Sequence, residues 1–221
     1  MQNPWAELSP NGGTYLLDVD REQIKRYNSV QVEGAKLVLE SVPEPFIGNP
    51  RLAKVVLLLL NPGHKPEDRD AHCDPVFKAA LFRNLQQEAQ DYPFYPLNPA
   101  LSWTPSAKWC TQRLRDLKAS SGLSSAELSG KLLAIEWFPY HSKSSGLPRT
   151  LVCESQKYTF QLAKEMLASK LVIRMRSINH WAQVDPMFSQ VPCLKNPRCG
   201  YVSKRNTEAG LFDRIVKALK T

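Results

Sequence analysis

The sequence lacks long apolar runs, paired cysteines and the common nucleotide-binding loops. Its longest uninterrupted apolar stretch covers residues 55–60, far short of the ~20 residues that a membrane-spanning helix needs. The five cysteines include no C-x-x-C pair, which argues against a disulfide framework, a zinc ribbon or an iron–sulfur ligand set. No G-x-x-x-x-G-K-[ST], G-x-G-x-x-G or G-x-S-x-G motif is present. The sequence therefore gives no support to a P-loop nucleotide-binding protein, a dinucleotide-binding enzyme or an α/β-hydrolase with a serine nucleophile.

The start of the chain and its composition are typical of an ordinary globular protein. The first residues show neither a basic segment nor an apolar core, so we expect no signal peptide, a cytoplasmic protein and reduced thiols. The chain has 221 residues, of which 43% are hydrophobic and 23% are charged. This length and composition favour a single domain that spans residues 1–221. We expect a monomer that does not bind membranes. The net charge of +8 favours a polyanionic partner, most often nucleic acid.

Apolar runs and helical patterns alternate along the chain. Strands are predicted at 54–60, 132–138 and 171–175, with a short fourth strand at 191–194. Helices are predicted at 20–27, 76–90, 104–118, from the capping box at 124–127, and at 156–169 and 208–219. Such alternation predicts an α/β fold, with three α/β/α layers and a central, mainly parallel four-stranded sheet. Residues 1–50 form a leader that we expect to pack on this core.

Two asparagine–proline loops follow predicted strands. Asn61-Pro62-Gly63-His64 comes directly after the first strand, and the segment 195–203, which contains Asn196-Pro197 and Gly200, follows the fourth. Ligands of open parallel sheets bind beyond the carboxyl ends of the strands. Both loops are therefore candidates for a functional site, although Asn-Pro segments also serve as plain turns.

These two loops resemble motifs of the uracil-DNA glycosylase superfamily. An apolar strand running into N-P-G resembles the first motif of its mismatch-specific and single-strand-selective branches. The later N-P-x-x-G segment resembles the second motif, and the order of elements agrees from about residue 54 to the end. The resemblance implies a uracil-DNA glycosylase-like fold and a monofunctional DNA glycosylase that acts on a flipped uracil-like, mismatched or modified base. It implies DNA as the partner, with no metal and no cofactor.

The resemblance also implies catalytic roles for two asparagines. Asn61 would position the attacking water, and Asn196 would lie against the base and the backbone. Breaking the base–sugar bond builds positive charge on the sugar and negative charge on the base, which preorganised polar groups stabilise. Asn61 is neutral where the fastest branch has Asp, so we expect a slower enzyme that depends more on a good leaving group.

Further residues are predicted to hold the base and the strand. Phe77 would stack on the base, and Glu136 would accept a hydrogen bond from an exocyclic amine or a ring N–H. Because Glu136 stands where the best-known branch has Asn, a base other than uracil is plausible. The candidate base-binding set is Pro62, Gly63, His64, Phe77, Glu136 and His141. The candidate DNA-contacting set is Lys195, Arg198, Tyr201, Lys204 and Arg205, with Tyr201, Val202 or Arg198 as the wedge that fills the gap left by a flipped base.

Two other functions remain open at this point. The chain could be a catalytically inactive protein of the same fold that binds nucleic acid or a nucleobase, or a small-molecule hydrolase that uses His64 or His141. The four histidines are far apart and form no H-E-x-x-H motif, so we expect no zinc site. The aromatic segment 92–99 is either a lid over the site or packing against the leader.

Overall fold

The fold is built around a sheet whose central strand is the apolar run predicted first. The computed structural model describes residues 1–143, 146–176 and 178–221. In these ranges the strands are β1 Leu37–Val38, β2 Phe46–Gly48, β3 Val55–Leu59, β4 Leu132–Glu136, β5 His141–Ser142 and β6 Leu171–Arg174. The helices are α1 Arg21–Ser29, α2 Pro66–Cys73, α3 Pro75–Leu85, α4 Pro105–Arg113, α5 Arg115–Ser121, α6 Ser125–Lys131, α7 Gln156–Ser169, α8 Ile178–Val184 and α9 Leu211–Lys220.

The main sheet has four strands in the order β2-β4-β3-β6. β3 pairs in parallel with β4 and with β6, and Leu57 lies opposite Ala134 on one side and Ile173 on the other. Every residue of β3 and β4 is buried, which is why these strands read as continuous apolar runs rather than alternating ones. The predicted α/β fold with a mainly parallel four-stranded sheet is confirmed.

The fourth strand of this sheet is not the one predicted. β2 comes from the leader and pairs antiparallel with β4, whereas the predicted strand at 191–194 makes only an isolated parallel bridge between Cys193 and Arg174. Pro192 has no N–H to donate, so this segment cannot extend a regular ladder. β2 is hard to predict because it has only three residues. It ends at Gly48, where an added Cβ would lie 2.4 Å from the carbonyl oxygen of Leu132.

Local capping signals place several helix ends correctly. The Asp74 side chain accepts hydrogen bonds from the N–H groups of Val76 and Phe77. Ser124 and Glu127 form the predicted capping box of α6, and Gly122 ends α5 in the left-handed conformation. These signals work because they satisfy free backbone groups within one turn of the helix end.

Other helix predictions are wrong in extent. α3 ends at Leu85 instead of continuing to residue 90, because Gln87 has a positive φ of 56°. The single helix predicted over 104–118 is divided at Leu114, whose backbone is not helical (ψ 5°). α2 and α8 were not predicted. None of the helices in the part of the chain that the structure describes is long and apolar enough to cross a bilayer.

The segment 92–99 forms part of the core. It contains a 3-10 helix at Tyr95–Leu97 that packs against α4 and α6. The N–H of Phe94 donates to the Ser129 hydroxyl at 2.9 Å, and Tyr95 is fully buried. The segment therefore packs mainly against two helices of the core, and Tyr95 also lies beside Glu44 of the leader.

Asn84 joins the leader to α3 through buried hydrogen bonds. Its amide nitrogen donates to the carbonyl oxygen of Phe46 at 2.7 Å, and its amide oxygen accepts from the N–H of Gly48 at 2.9 Å. We expect Asn84→Ala to lower the free energy of unfolding by about 2 kcal/mol, because two buried backbone groups of β2 lose their partners. Chemical denaturation measures this change. Asn11→Ala, at an exposed position, is the control, and an equal effect of both substitutions would contradict the prediction.

Candidate active site

A cavity of about 480 Å³ opens at the carboxyl ends of the parallel strands. Asn61 follows β3, Glu136 ends β4 and Arg176 follows β6, and all three side chains line the cavity. The chain leaves β3 towards β4 on one side, while β6 lies on the other side of β3. Such a change of direction in the strand order opens a crevice in parallel sheets, and the volume is typical of a small-ligand site.

Most of the predicted catalytic and base-binding residues meet in this cavity. They come from four separate parts of the sequence, and the fold brings their side chains to one wall and floor. Seven of the eight line the cavity, namely Asn61, Pro62, Gly63, His64, Phe77, Glu136 and His141.

The Asn61 side chain is held in one orientation. Its amide nitrogen donates to the carbonyl oxygen of Pro62 at 3.0 Å and contacts the Ser142 hydroxyl at 2.9 Å. A carbonyl oxygen only accepts hydrogen bonds, so the nitrogen must face Pro62. Among the residues that the structure describes, none donates to the Asn61 amide oxygen. This oxygen is therefore available to a water or a ligand in the cavity.

Asn196 is the predicted catalytic residue that the structure does not bring to the cavity. Its side-chain oxygen accepts from the N–H groups of Arg198 at 3.1 Å and Cys199 at 3.4 Å. Its own N–H donates to the side-chain oxygen of Asn206 at 2.8 Å. The side chain thus stabilises a turn, as short polar residues before proline often do, and the catalytic role predicted for Asn196 is not supported by its position.

The predicted DNA-contacting residues lie on the loop outside the cavity. Lys195, Arg198, Lys204 and Arg205 are exposed, and Tyr201 is half-buried. Val202, a possible wedge in the sequence, is fully buried and cannot insert into DNA.

Arg113 connects this loop to the cavity. Its carbonyl oxygen accepts from the N–H of Val202 at 3.0 Å, and its guanidinium lies 4.4 Å from the centre of the Tyr201 ring. Arg113 itself lines the cavity. The second loop therefore borders the mouth of the cavity without entering it.

His141 holds the wall of the cavity together. Its Nδ1 lies 2.8 Å from the carbonyl oxygen of Gly63 and its Nε2 lies 3.0 Å from that of Val42. Burial lowers the pKa of His141 to about 4, so the neutral ring donates to one carbonyl at a time. With both ring nitrogens facing the backbone, His141 positions the first loop rather than binding a base.

Two further histidines lie beside His141. The His72 Nδ1 accepts from the N–H of Val42 at 3.1 Å, and burial holds the pKa of His72 well below its usual value. The His64 Nδ1 is 3.3 Å from the Ser41 hydroxyl, and partial burial lowers the pKa of His64. The histidine rings are thus neutral at pH 7 and pack against the leader.

The floor of the cavity carries two buried carboxyl groups, Glu44 and Glu136. Burial raises the pKa of Glu44 to about 8. Burial and the nearby Glu44 raise the pKa of Glu136 well above its usual value, and the charge of Arg176 offsets only part of this. The Glu136 Oε2 atom is buried without a hydrogen-bond partner in the described part of the chain. Burial thus favours the protonated form of both groups, and a carboxylic acid can donate as well as accept.

Glu44, His72 and His141 place their possible ligand atoms within 4.8 Å of one another. Two histidines and a carboxylate are a common metal-binding set. However, the His72 Nδ1 accepts from the N–H of Val42, and both nitrogens of His141 face carbonyl oxygens. His141 could therefore ligate a metal only after giving up a contact with the backbone, which weighs against a metal centre here.

Several cavity residues were missed in the sequence. Glu44 lies between two prolines of the leader, and no motif distinguishes it from a surface turn. The others come from helices and loops whose distance to the strand ends cannot be read from local patterns. The residues missed are Glu44, Lys65, His72, Trp109, Arg113, Lys143 and Arg176.

Comparison with known proteins leaves this chain without an identified relative. No protein-family model, curated protein or solved structure matches it significantly. The resemblance to uracil-DNA glycosylases therefore stays a prediction, and a functional assignment depends on the geometry of the cavity.

The buried Glu44 carboxyl makes the stability of the fold depend on pH. Glutamate in an unfolded chain titrates near pH 4.3, whereas the folded Glu44 has a pKa of about 8. Between these values only the folded state keeps the proton, so the contribution of Glu44 to stability is lost as the pH rises towards 8. We expect Glu44→Gln to flatten the fall in the free energy of unfolding between pH 6.5 and 8 by up to about 1.4 kcal/mol per pH unit.

Denaturant unfolding at several pH values measures this slope. Unfolded histidines, with a pKa of about 6.5, still titrate in the lower part of this window, so the contribution of Glu44 is the difference in slope between the wild type and Glu44→Gln. The exposed Glu40→Gln is the matched control. If Glu44→Gln keeps the slope of the wild type, the carboxyl is not protonated in the fold.

Proposed function

We propose that this protein is a DNA glycosylase that hydrolyses the N-glycosidic bond of a base held in the cavity. The observation that carries the proposal is the orientation of Asn61. Its amide oxygen lies at the end of β3 in the cavity, with its amide nitrogen fixed by the Pro62 carbonyl and Ser142. A fixed carbonyl-type oxygen of this kind can accept a hydrogen bond from a water and direct it towards the sugar carbon.

The proposed fold is the three-layer α/β/α arrangement of the uracil-DNA glycosylases. In support, α7 packs on β4 and β6, and α9 packs on β3. The bridge between Arg174 and Cys193 continues the parallel order beyond β6, although it is too short to be a strand. The polar loop of the first motif and the end of β4 both face one cavity.

Glu136 favours a base with adjacent donor and acceptor groups. As a carboxylate it would only accept hydrogen bonds, but burial raises its pKa and keeps it protonated. A carboxylic acid pairs well with a lactam edge, in which an N–H stands next to a carbonyl group. Uracil and hypoxanthine carry such an edge, so the protonated Glu136 brings uracil-like bases back among the expected substrates.

Phe77 forms a rigid wall for the base. Its ring packs edge-to-face on His72, with centres 5.4 Å apart, and on Tyr95, with centres 5.7 Å apart. It is buried and lines the cavity. Such packing fixes the ring in one position, as a surface that stacks on a base requires.

The exposed cations of the second loop would bind the DNA backbone. Residues 195–205 contain no acidic residue, and Lys195, Arg198, Lys204 and Arg205 are exposed. Positive loops of this kind contact phosphates independently of sequence. The half-buried Tyr201 stacks on Arg113 and is the candidate wedge that remains.

Binding of a base without catalysis is the second candidate function. Asn196 is engaged in a turn and does not line the cavity, so the second motif contributes no side chain to stabilise the departing base. A protein that keeps the cavity but lacks this stabilisation would hold a nucleobase or nucleic acid without cutting.

Asn61→Ala separates these two functions. We expect this variant to release bases at least about 100-fold more slowly, because the water loses its oriented acceptor, and to bind DNA as the wild type does. The assay measures base release from oligonucleotides, single- and double-stranded, that carry uracil, mismatched thymine, hypoxanthine or modified cytosines. Asn11→Ala is the matched control. Binding without release by the wild type would support the second function, and release that persists in Asn61→Ala would exclude the proposed mechanism.

Glu136→Gln tests the protonated state of the base-reading group. An amide keeps one donor and one acceptor, so we expect base release within about threefold of the wild type, whereas Glu136→Ala should lose about 10-fold or more. Steady-state kinetics on the preferred oligonucleotide measures both variants. Equal, large losses in Glu136→Gln and Glu136→Ala would show that an ionised carboxylate is needed.

A further inference from the structure

Two arginines at the cavity form no ion pair among the described residues, although the charge of Arg176 acts on the nearby Glu136 carboxyl. Arg113 ends α4 and Arg176 follows β6, and both line the cavity. In each, the Nε atom is buried without a hydrogen-bond partner in the described part of the chain. Neither takes part in any of the ion pairs found among the described residues. Buried N–H groups normally have hydrogen-bond acceptors, so each of these two arginines lacks an acceptor for its Nε.

The contacts that these arginines do make leave their charge unneutralised. Arg113 Nη1 donates to the amide oxygen of Gln112 at 2.7 Å, and Arg176 Nη2 donates to the carbonyl oxygen of Arg198 at 3.3 Å. Both acceptors are neutral. An anion placed between the guanidinium groups would gain charge-assisted hydrogen bonds that the protein itself does not supply.

The two guanidinium groups lie beside the same aromatic ring. The Arg113 and Arg176 guanidinium carbons lie 5.7 Å and 6.0 Å from the centre of the Trp109 ring. Arg113 also stacks on Tyr201, and Gly200 packs beside its Nε, where an added Cβ would lie in ordinary van der Waals contact at 3.6 Å. Stacking orients a guanidinium without cancelling its charge.

The rest of the cavity adds positive rather than negative charge. Lys65 and Lys143 also line it, and the carboxyl groups of Glu44 and Glu136 are kept protonated by burial. Asp68 is the remaining carboxyl group among the residues lining the cavity, and it accepts from the N–H of Lys65. Guanidinium groups that line a cavity suit an anion that has several oxygens, and a phosphodiester is such an anion.

We propose that Arg113 and Arg176 together bind a phosphodiester group of the DNA strand, next to the nucleotide whose base occupies the cavity. This inference rests on the proposed function, because it takes the nucleotide in the cavity as its reference point. The pair would fix the strand from the side of α4 and β6, while Asn61 and Glu136 face the sugar and the base. Neither arginine belongs to the two motifs that suggested the function.

The experiment combines arginine variants with removal of charge from single phosphates. The probe is a labelled single-stranded oligonucleotide with a central tetrahydrofuran, which mimics the nucleotide after base loss. In two further probes, the phosphodiester on the 5′ or the 3′ side of the tetrahydrofuran is replaced by a neutral methylphosphonate. Affinities are measured for the wild type, Arg113→Gln and Arg176→Gln, which keep most of the side-chain length. Arg115→Gln, at an exposed arginine paired with Asp116, is the matched control.

We expect one methylphosphonate to weaken binding by the wild type about 10-fold, and each glutamine variant to bind the unmodified probe about 10-fold more weakly. Arg113→Gln and Arg176→Gln have already lost the contact with this phosphate. The affinity of each variant for the methylphosphonate probe should therefore be less than about twofold below its affinity for the unmodified probe. For both glutamine variants, the slope of log affinity against log salt concentration should be about one unit smaller than for the wild type. Arg113→Lys and Arg176→Lys should recover part of the affinity, and Arg115→Gln should behave as the wild type.

Independent, additive penalties of the methylphosphonates and the glutamine variants would overturn the inference, and so would failure of the wild type to bind the probe. Unchanged thermal unfolding of the variants shows that a loss of affinity is not a loss of fold. Base release is measured separately, which keeps the two proposals apart. If the losses of affinity are non-additive but no base is released, the phosphate site stands and the glycosylase proposal fails. If bases are released but the losses of affinity are additive, the glycosylase proposal stands and the phosphate site fails.

Discussion

The imidazole of His141 joins the three segments that enclose the cavity. It lies between the carbonyl oxygens of Val42 in the leader and Gly63 in the first loop, and it follows the end of β4. β5, which begins at His141, also pairs with β1 of the leader, and Ser142 contacts the Asn61 amide. The position of Asn61 therefore depends on a buried ring whose two nitrogens both face backbone carbonyl groups. A neutral imidazole suits this place because a fixed cation would carry a large desolvation cost.

The cavity separates uncharged polar groups on its floor from cations at its mouth. Burial disfavours the charged forms of Glu44, Glu136, His72 and His141. Arg113 and Arg176 are only partly buried and lie beside aromatic rings. This distribution suits a ligand with a neutral, hydrogen-bonding part and an anionic part, which is the character of a nucleotide.

The sequence predicts those parts of the fold that local interactions determine. Strands β3, β4 and β6 follow from apolar runs, and the starts of α3 and α6 follow from capping residues whose partners lie within one turn. The fourth strand was misplaced because β2 is defined by its pairing with β4 and by its bonds to Asn84, which no short pattern reveals.

In the candidate site too, residues next to a recognisable strand could be predicted, whereas residues placed by distant contacts could not. Asn61, Pro62, Gly63 and His64 were found because they directly follow a recognisable strand. Asn196 was placed wrongly, since the same Asn-Pro pattern serves a turn held by Asn206. Glu44 and Arg113 were missed because their importance comes from distant contacts, and the protonation of Glu136 depends on burial, which the sequence does not give.

The leader's part in the sheet and the cavity wall has a consequence for how the protein acquires its site. β2 pairs with β4, and Val42 contacts His141 across 99 positions of sequence separation. Such non-local contacts form late, because closing long loops costs entropy before any contact repays it. During synthesis the early residues must wait for β4 and β5 to leave the ribosome. The cavity is thus a property of the completed fold, because its lining comes from the leader as well as from the segments after β3 and β4.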